Sequence, residues 1–189
     1  MGNIVKYGLN NVYYAVLTDN DGTITYGTPK AIKGGVKISL DPEGDEVKFR
    51  ADNSDYYKNV VNNGYKGSLE LAMITSDFYK DCLGLTEDSN GALIESKNNV
   101  AKRFALMFEF EGDKTGSRVV LYDCLASRPK AEHSTTEDTV SPETDTLDFS
   151  AGARTSDGKV KATLTKTDTN TTVYNGFFTT VYEEAQTRF

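Results

Sequence analysis

Tryptophan is missing from this chain, histidine occurs once, cysteine twice, and only 4 of its 189 residues are proline. The single histidine, His133, sits on a polar stretch beside Glu132 with no second metal ligand and no obvious nucleophile, so an ordinary solvated side chain is the plain reading and most hydrolase mechanisms are disfavoured. Cys82 and Cys124 are too few and too far apart for a disulfide framework or a zinc site; they read as buried, reduced thiols. No window approaches the length of a membrane span, and the start, "MGNIVKYGLNNVYYAV", lacks the basic and apolar regions of a secretory signal. Lys6 stands where a myristoylation signal needs Ser or Thr. Basic residues are the minority: 21 Lys and Arg against 28 Asp and Glu give a formal net charge of −7, which argues against gripping nucleic acid by phosphate neutralisation. Neither a Walker series nor GxGxxG occurs, and the Asp-rich turn at 19–22 fails as an EF-hand because Lys30 occupies the closing position. No catalysis, cofactor or metal is expected.

What is present is strand-forming. Hydrophobic residues make up 38% of the chain, with Tyr (11) and Phe (9) supplying the bulk, and short runs of Thr, Val, Tyr and Phe alternate with Asn, Asp and Gly. The pattern predicts a mainly β protein, a single domain over residues 1–189 of roughly nine or ten strands. "GLNNVYYAVLTDN", "AIKGGVKISL", "YKGSLELAMI", "TDTLDFSAGA", "GKVKATLT" and "TTVYNGFFTTVY" read as strands. "TSDFYKDCLG" predicts one short helix over Ser76–Leu83, capped by Ser76 and stopped by Gly84. Two segments stand apart. Residues 41–67 read as an extended, hydrophilic loop rich in tyrosine and built to dock on something, the alternative being a hairpin and half-turn folded back on its own sandwich, and residues 131–146 form an acidic loop without Lys or Arg.

The stretch "VAKRFALMFEFEGDKTGSRVVLYDCLA" poses the sharpest structural question. Read with period two, Phe104, Leu106, Phe108 and Phe110 share one face, and Ala105, Met107, Glu109 and Glu111 the other. With a loop over 112–116, Val120, Tyr122 and Cys124 join the phenylalanines, while Val119, Leu121 and Leu125 join Met107. Neither face is cleanly polar, so something must cover the second. The predicted helix is one candidate and a neighbouring subunit the other, with Met107, Val119 and Leu121 as the interface in the latter case.

The order of several stretches carries a resemblance. "YGLNNVYYA", "YGTPKAIKGGVKISLDPEGDEVKFRADNSDYY", "NNGYKGSLELAMI", "FALMFEFEGDKTGSRVVLYDCLASRP" and "TDTLDFSAGARTSDGKVKATL" together resemble the major tail protein, or tail tube protein, of long-tailed siphophages and related prophages of Gram-positive bacteria, from about Tyr7 to Thr165. The resemblance implies a β-sandwich or half-barrel with a flanking helix, six copies closing into a ring and rings stacking into a hollow tube. It implies a virion location in the phage tail after assembly in the host cytoplasm, with the tape measure, tail terminator and distal tail proteins as partners. Phage DNA passes the negatively lined bore without specific binding, and neither a membrane nor catalysis is involved. On this reading the loop at 41–67 reaches an adjacent subunit or ring, with Tyr56, Tyr57 and Tyr65 as anchors and Asp52 and Asn53 fixing its bend. Glu70, Glu109, Glu111 and Asp148 are the candidate lumen-facing acids. The competing reading is a non-catalytic β-sandwich that binds carbohydrate or protein at a cell surface. The final "EEAQTRF" reads either as an arm onto a neighbour or as a frayed end.

Overall fold

A computed structural model describes residues 8–51, 54–110, 116–130 and 143–185, with residues 46–58 described by backbone alone. The strands are β1 (Leu9–Asn20), β2 (Thr23–Tyr26), β3 (Lys30–Ile32), β4 (Gly35–Glu43), β5 (Glu46–Ala51), β6 (Ser54–Val60), β7 (Gly64–Leu71), β8 (Thr86–Glu87), β9 (Leu93–Ile94), β10 (Phe104–Phe110), β11 (Ser117–Ala126), β12 (Asp145–Gly152) and β13 (Lys161–Thr165). Two short helices, α1 (Ser76–Asp81) and α2 (Thr171–Asn175), complete the described elements. The mainly β class expected from the alternation holds.

Nine strands form one antiparallel sheet in the order β2-β1-β10-β11-β12-β7-β4, with β3 on β1 and β13 on β11. The sheet curls into a half-barrel. Its two ends meet where β3 passes into β4, so that a side chain at Gly35 would press on Val12 and Leu9 of β1. The run "AIKGGVKISL", which reads as one strand, is broken here: Gly34 takes a φ of +82° and a Cβ on it would lie 2.8 Å from that of Ala72. The inner face gathers alternate residues of every wall, including Val12, Tyr14, Leu69, Leu71, Phe104, Leu106, Phe108, Leu147 and Phe149.

Helix α1 plugs this inner face. Thr75, not Ser76, is its cap, accepting a hydrogen bond from the Phe78 amide at 3.3 Å. Phe78 packs edge-on against Tyr14 and Phe104, with ring centroids at 5.1 and 5.4 Å. The Tyr14 hydroxyl and Lys30 Nζ donate to Asp81 Oδ2 at 2.8 and 2.6 Å, fastening the helix to β1 and β3. Burial works to raise the Asp81 carboxyl, yet the bonds from Lys30 and Tyr14 hold it below the usual carboxylate value. The helix therefore serves the phenylalanine face, and the idea that it covers the second face of the hairpin is corrected.

The tyrosine-rich stretch is a hairpin rather than a loop. β5 and β6 pair from Glu46↔Val60 to Ala51↔Ser54 and form a two-stranded sheet of their own. Bonds from the Asn63 amide to Glu43 and from the Val61 amide to Asp45 run this ribbon on from the β4–β7 ladder. Six residues of strand carry it about 20 Å further.

Candidate functional site

The hairpin of β10 and β11 has the two apolar faces that the alternation indicates, with a different phase on β11. Opposite Glu109, Phe108, Met107 and Leu106 stand Arg118, Val119, Val120 and Leu121, and the register then slips so that Phe104 faces Cys124. The extra residue lies on β11 beside Tyr122 and Asp123. A slip of one residue exchanges faces. On the turn side of the slip Val119 and Leu121 lie on the inner face with the phenylalanines, and Val120 and Tyr122 join Met107 and Ala105 on the outer face, while past the slip Cys124 keeps the inner face that the alternation gives it. Of the proposed interface residues, only Met107 lies on the second face. Arg103 pins the slipped segment by donating to Asp123 Oδ2 at 2.7 Å and Asp19 Oδ2 at 3.1 Å. Burial still pushes the Asp123 carboxyl upward against the pull of Arg103.

The outer face is covered from within the chain, by neither of the two expected covers. Phe177, Phe178, Val181 and Tyr182, all past β13, lie over Ala15, Ala105, Met107, Val120 and Tyr122, and Tyr174 is buried beside them on Arg118. Met107 is left with no exposed surface at all. The composition of "TTVYNGFFTTVY" suggests a strand, but the segment is α2 followed by turns. The apolar positions 174, 177, 178 and 181 fall at helical spacing, a signal that outranks the β-branched content.

Two arginines hold this cover, and nothing in the alternation singles them out. Arg118, directly opposite Glu109, donates from Nε to Glu109 Oε2 at 2.7 Å and from Nη1 to the Tyr174 carbonyl. Its guanidinium stacks 3.8 Å from the Tyr174 ring centroid and 4.8 Å from that of Phe178. Arg154 lies in the turn between β12 and β13 and is only 6% exposed. It donates two bidentate pairs of hydrogen bonds: Nε and Nη2 to Asp157 at 2.6 and 2.7 Å, and Nη1 and Nη2 to Glu183, both at 2.6 Å. The plane of Arg154 rides 4.4 Å from the Tyr122 ring centroid. Beside it the Tyr26 hydroxyl donates to the Tyr122 carbonyl at 3.0 Å. Burial pushes both phenols, Tyr26 and Tyr122, up to about 12. Arg154 itself holds the Asp157 carboxyl far below the usual carboxylate range.

The candidate lumen acids are not brought to one spot. Glu70 on β7 and Asp148 on β12 share the outer polar face of adjacent strands, where Glu70 accepts from Thr144 at 2.8 Å and Asp148 is exposed. Lys37 stands opposite Glu70, and Lys66 opposite both Ser150 and Asp41, so cations intersperse this face. Glu109 is committed to Arg118, and Glu111 lies outside the described residues. Of the expected loop anchors, Tyr65 belongs to β7, its hydroxyl accepting from Lys161 Nζ at 3.0 Å and its ring packed against the inner cluster. It is a wall residue because the ladder resumes at Gly64. Tyr56 and Tyr57 fall on β6, where only the backbone is described; Asp52 and Asn53 lie outside the described residues, as does residue 131–142 of the acidic loop.

Both thiols, Cys82 and Cys124, are fully enclosed, and burial pushes each well above its ordinary value. Among the described residues no group of three or more His, Cys, Asp or Glu could hold a metal, and no helix is long and apolar enough to cross a membrane.

In comparison with known proteins, the chain matches no family model and no curated protein. Among solved structures it is similar to the anti-feeding prophage cap, described as an AFP tube terminating cap, with a TM-score of 0.48 and 10% identity over 88% of this chain and 97% of that one.

Proposed function

We propose that the chain is a structural, non-catalytic subunit of a phage tail tube, six copies closing into a ring and rings stacking into a conduit that DNA traverses. The ordered resemblance from about Tyr7 to Thr165 to siphophage tail tube proteins supports this reading. The structural observation that carries it is the β5–β6 ribbon, which among the described residues pairs with no strand but its own partner. An isolated two-stranded ribbon is marginal in water and gains stability by laying itself on something. Among the described residues, β4 pairs only with β7 and β13 only with β11, so each also offers an open edge for a neighbour to continue. The net charge of −7 suits a wall past which phosphate must slide. On this reading Glu70 and Asp148 face the bore, and the tape measure, terminator and distal tail proteins meet the tube at its axis and ends. Negative-stain microscopy of the purified chain across a concentration series tests it: six-fold rings or tubes are expected. Particles that stay monomeric at high concentration, even with tail initiator proteins added, overturn it and favour a surface-binding module.

A further inference from the structure

The segment covering the outer face of the β10–β11 hairpin is joined to the sheet by side-chain packing and ion pairs and, through its main chain, by the bond from Arg118 to the Tyr174 carbonyl. Among the described residues its backbone–backbone hydrogen bonds are internal: Tyr174 to Asn170, Gly176 to Thr172, Phe177 to Tyr174, and Thr179 and Thr180 to Gly176. No strand ladder among the described residues ties it to β10, β11 or β13. Its near end is clasped by Arg118 and by the stack of Tyr13 on Phe178 at 4.9 Å, its far end by Glu183 on Arg154 and Glu184 on Lys159 at 2.8 Å.

Arg154 is organised for this contact whether or not the segment is present. The turn that carries it closes on itself through the Gly158 amide to the Arg154 carbonyl and the Arg154 amide to Lys159. Asp157 fills one edge of the guanidinium, and the Tyr122 ring backs its plane. The edge left over is the one that meets Glu183. When Glu183 departs, Arg154 keeps Asp157, so release strands no unpaired buried charge, the usual penalty for breaking such a contact. A segment without a strand ladder to its support opens at the cost of its own contacts, below that of unfolding the sheet.

We propose that residues 171–185 are a releasable strap, latched by Glu183 on Arg154, which lifts as a unit from a sheet that stays folded and uncovers Ala105, Met107, Val120 and Tyr122. Native-state hydrogen exchange of the full chain through low urea concentrations tests this. The amides of Tyr174, Gly176, Phe177 and Thr179 are expected to exchange by an opening with a shallow urea dependence, set by the surface the strap uncovers, while those of β10 and β11 follow the steep dependence of global unfolding. Glu183→Gln keeps the Arg154–Asp157 pair and is expected to speed exchange in the strap about tenfold, leaving β10 and β11 unchanged. A common urea dependence for strap and strands, equal acceleration of both by Glu183→Gln, or no acceleration of either would each overturn the proposal.

Discussion

Arg154 binds together four pieces of chain that are far apart in sequence: β2 through Tyr26, β11 through Tyr122, its own turn through Asp157 and the C-terminal segment through Glu183. Replacing it with methionine retains the aliphatic stem but removes every charged bond. The expected cost is about 2–3 kcal/mol in urea unfolding, the scale of hydrogen bonds to charged groups. The same variant changes the acid limb of stability. Asp157 and Asp81 both titrate below their unfolded values, so their contribution is complete above about pH 4 and is lost as pH falls through the lower folded values. Stability of the parent chain should decline between pH 4 and pH 2, and Arg154→Met should make that decline shallower, as read by urea midpoints at stepped pH. None of this is legible in the sequence, where Arg154 is one charge in a turn between two runs. A buried guanidinium is defined by the partners it gathers, and those come from residues 26, 122, 157 and 183.

At the scale of elements, the period-two pattern on β10 correctly assigns Phe104, Leu106 and Phe108 to one face and Ala105 and Met107 to the other. Across the turn the reading inverts, because Glu109 already faces Arg118, one place off the register that a loop over 112–116 gives, and the bulge beside Tyr122 restores that register only at Cys124; no local residue pattern announces either shift. The two faces should respond differently to the same insult. Leu121→Asp places a carboxylate inside the half-barrel with no route to water, and the whole fold should lose more than about 4 kcal/mol or fail to form. Val120→Asp faces the strap, so its carboxylate reaches water once the strap lifts, and the loss is bounded by the strap's own docking energy. Circular dichroism with urea titration separates them: Val120→Asp keeps a β spectrum and a cooperative transition, and Leu121→Asp does not. Gly67 supplies a third check on the wall. A methyl there would sit 2.2 Å from the Phe149 ring, so Gly67→Ala should cost about 1–3 kcal/mol.

For the molecule as a whole, the proposed assembly draws on a different stretch of chain from the one that carries stability. The nine-stranded sheet, α1 and the strap complete one another, whereas the β5–β6 ribbon is paired only with itself and its removal breaks no ladder of the large sheet. Joining Glu43 to Gly64 through an Asn-Gly turn would close β4 onto β7 as an ordinary hairpin, since these two residues already face each other. The shortened chain should unfold within about 1 kcal/mol of the parent, because surface segments remote from the packed interior contribute little to it. On the proposed tube assembly, it should also stay monomeric in sedimentation at concentrations where the parent is expected to form rings or tubes. A shortened chain that assembled as readily as the parent would remove the ribbon from the assembly and leave the open edges of β4 and β13 as the joining surfaces. One that failed to fold would mean instead that the ribbon is a structural strut, and its pairing with a neighbour would lose its physical basis.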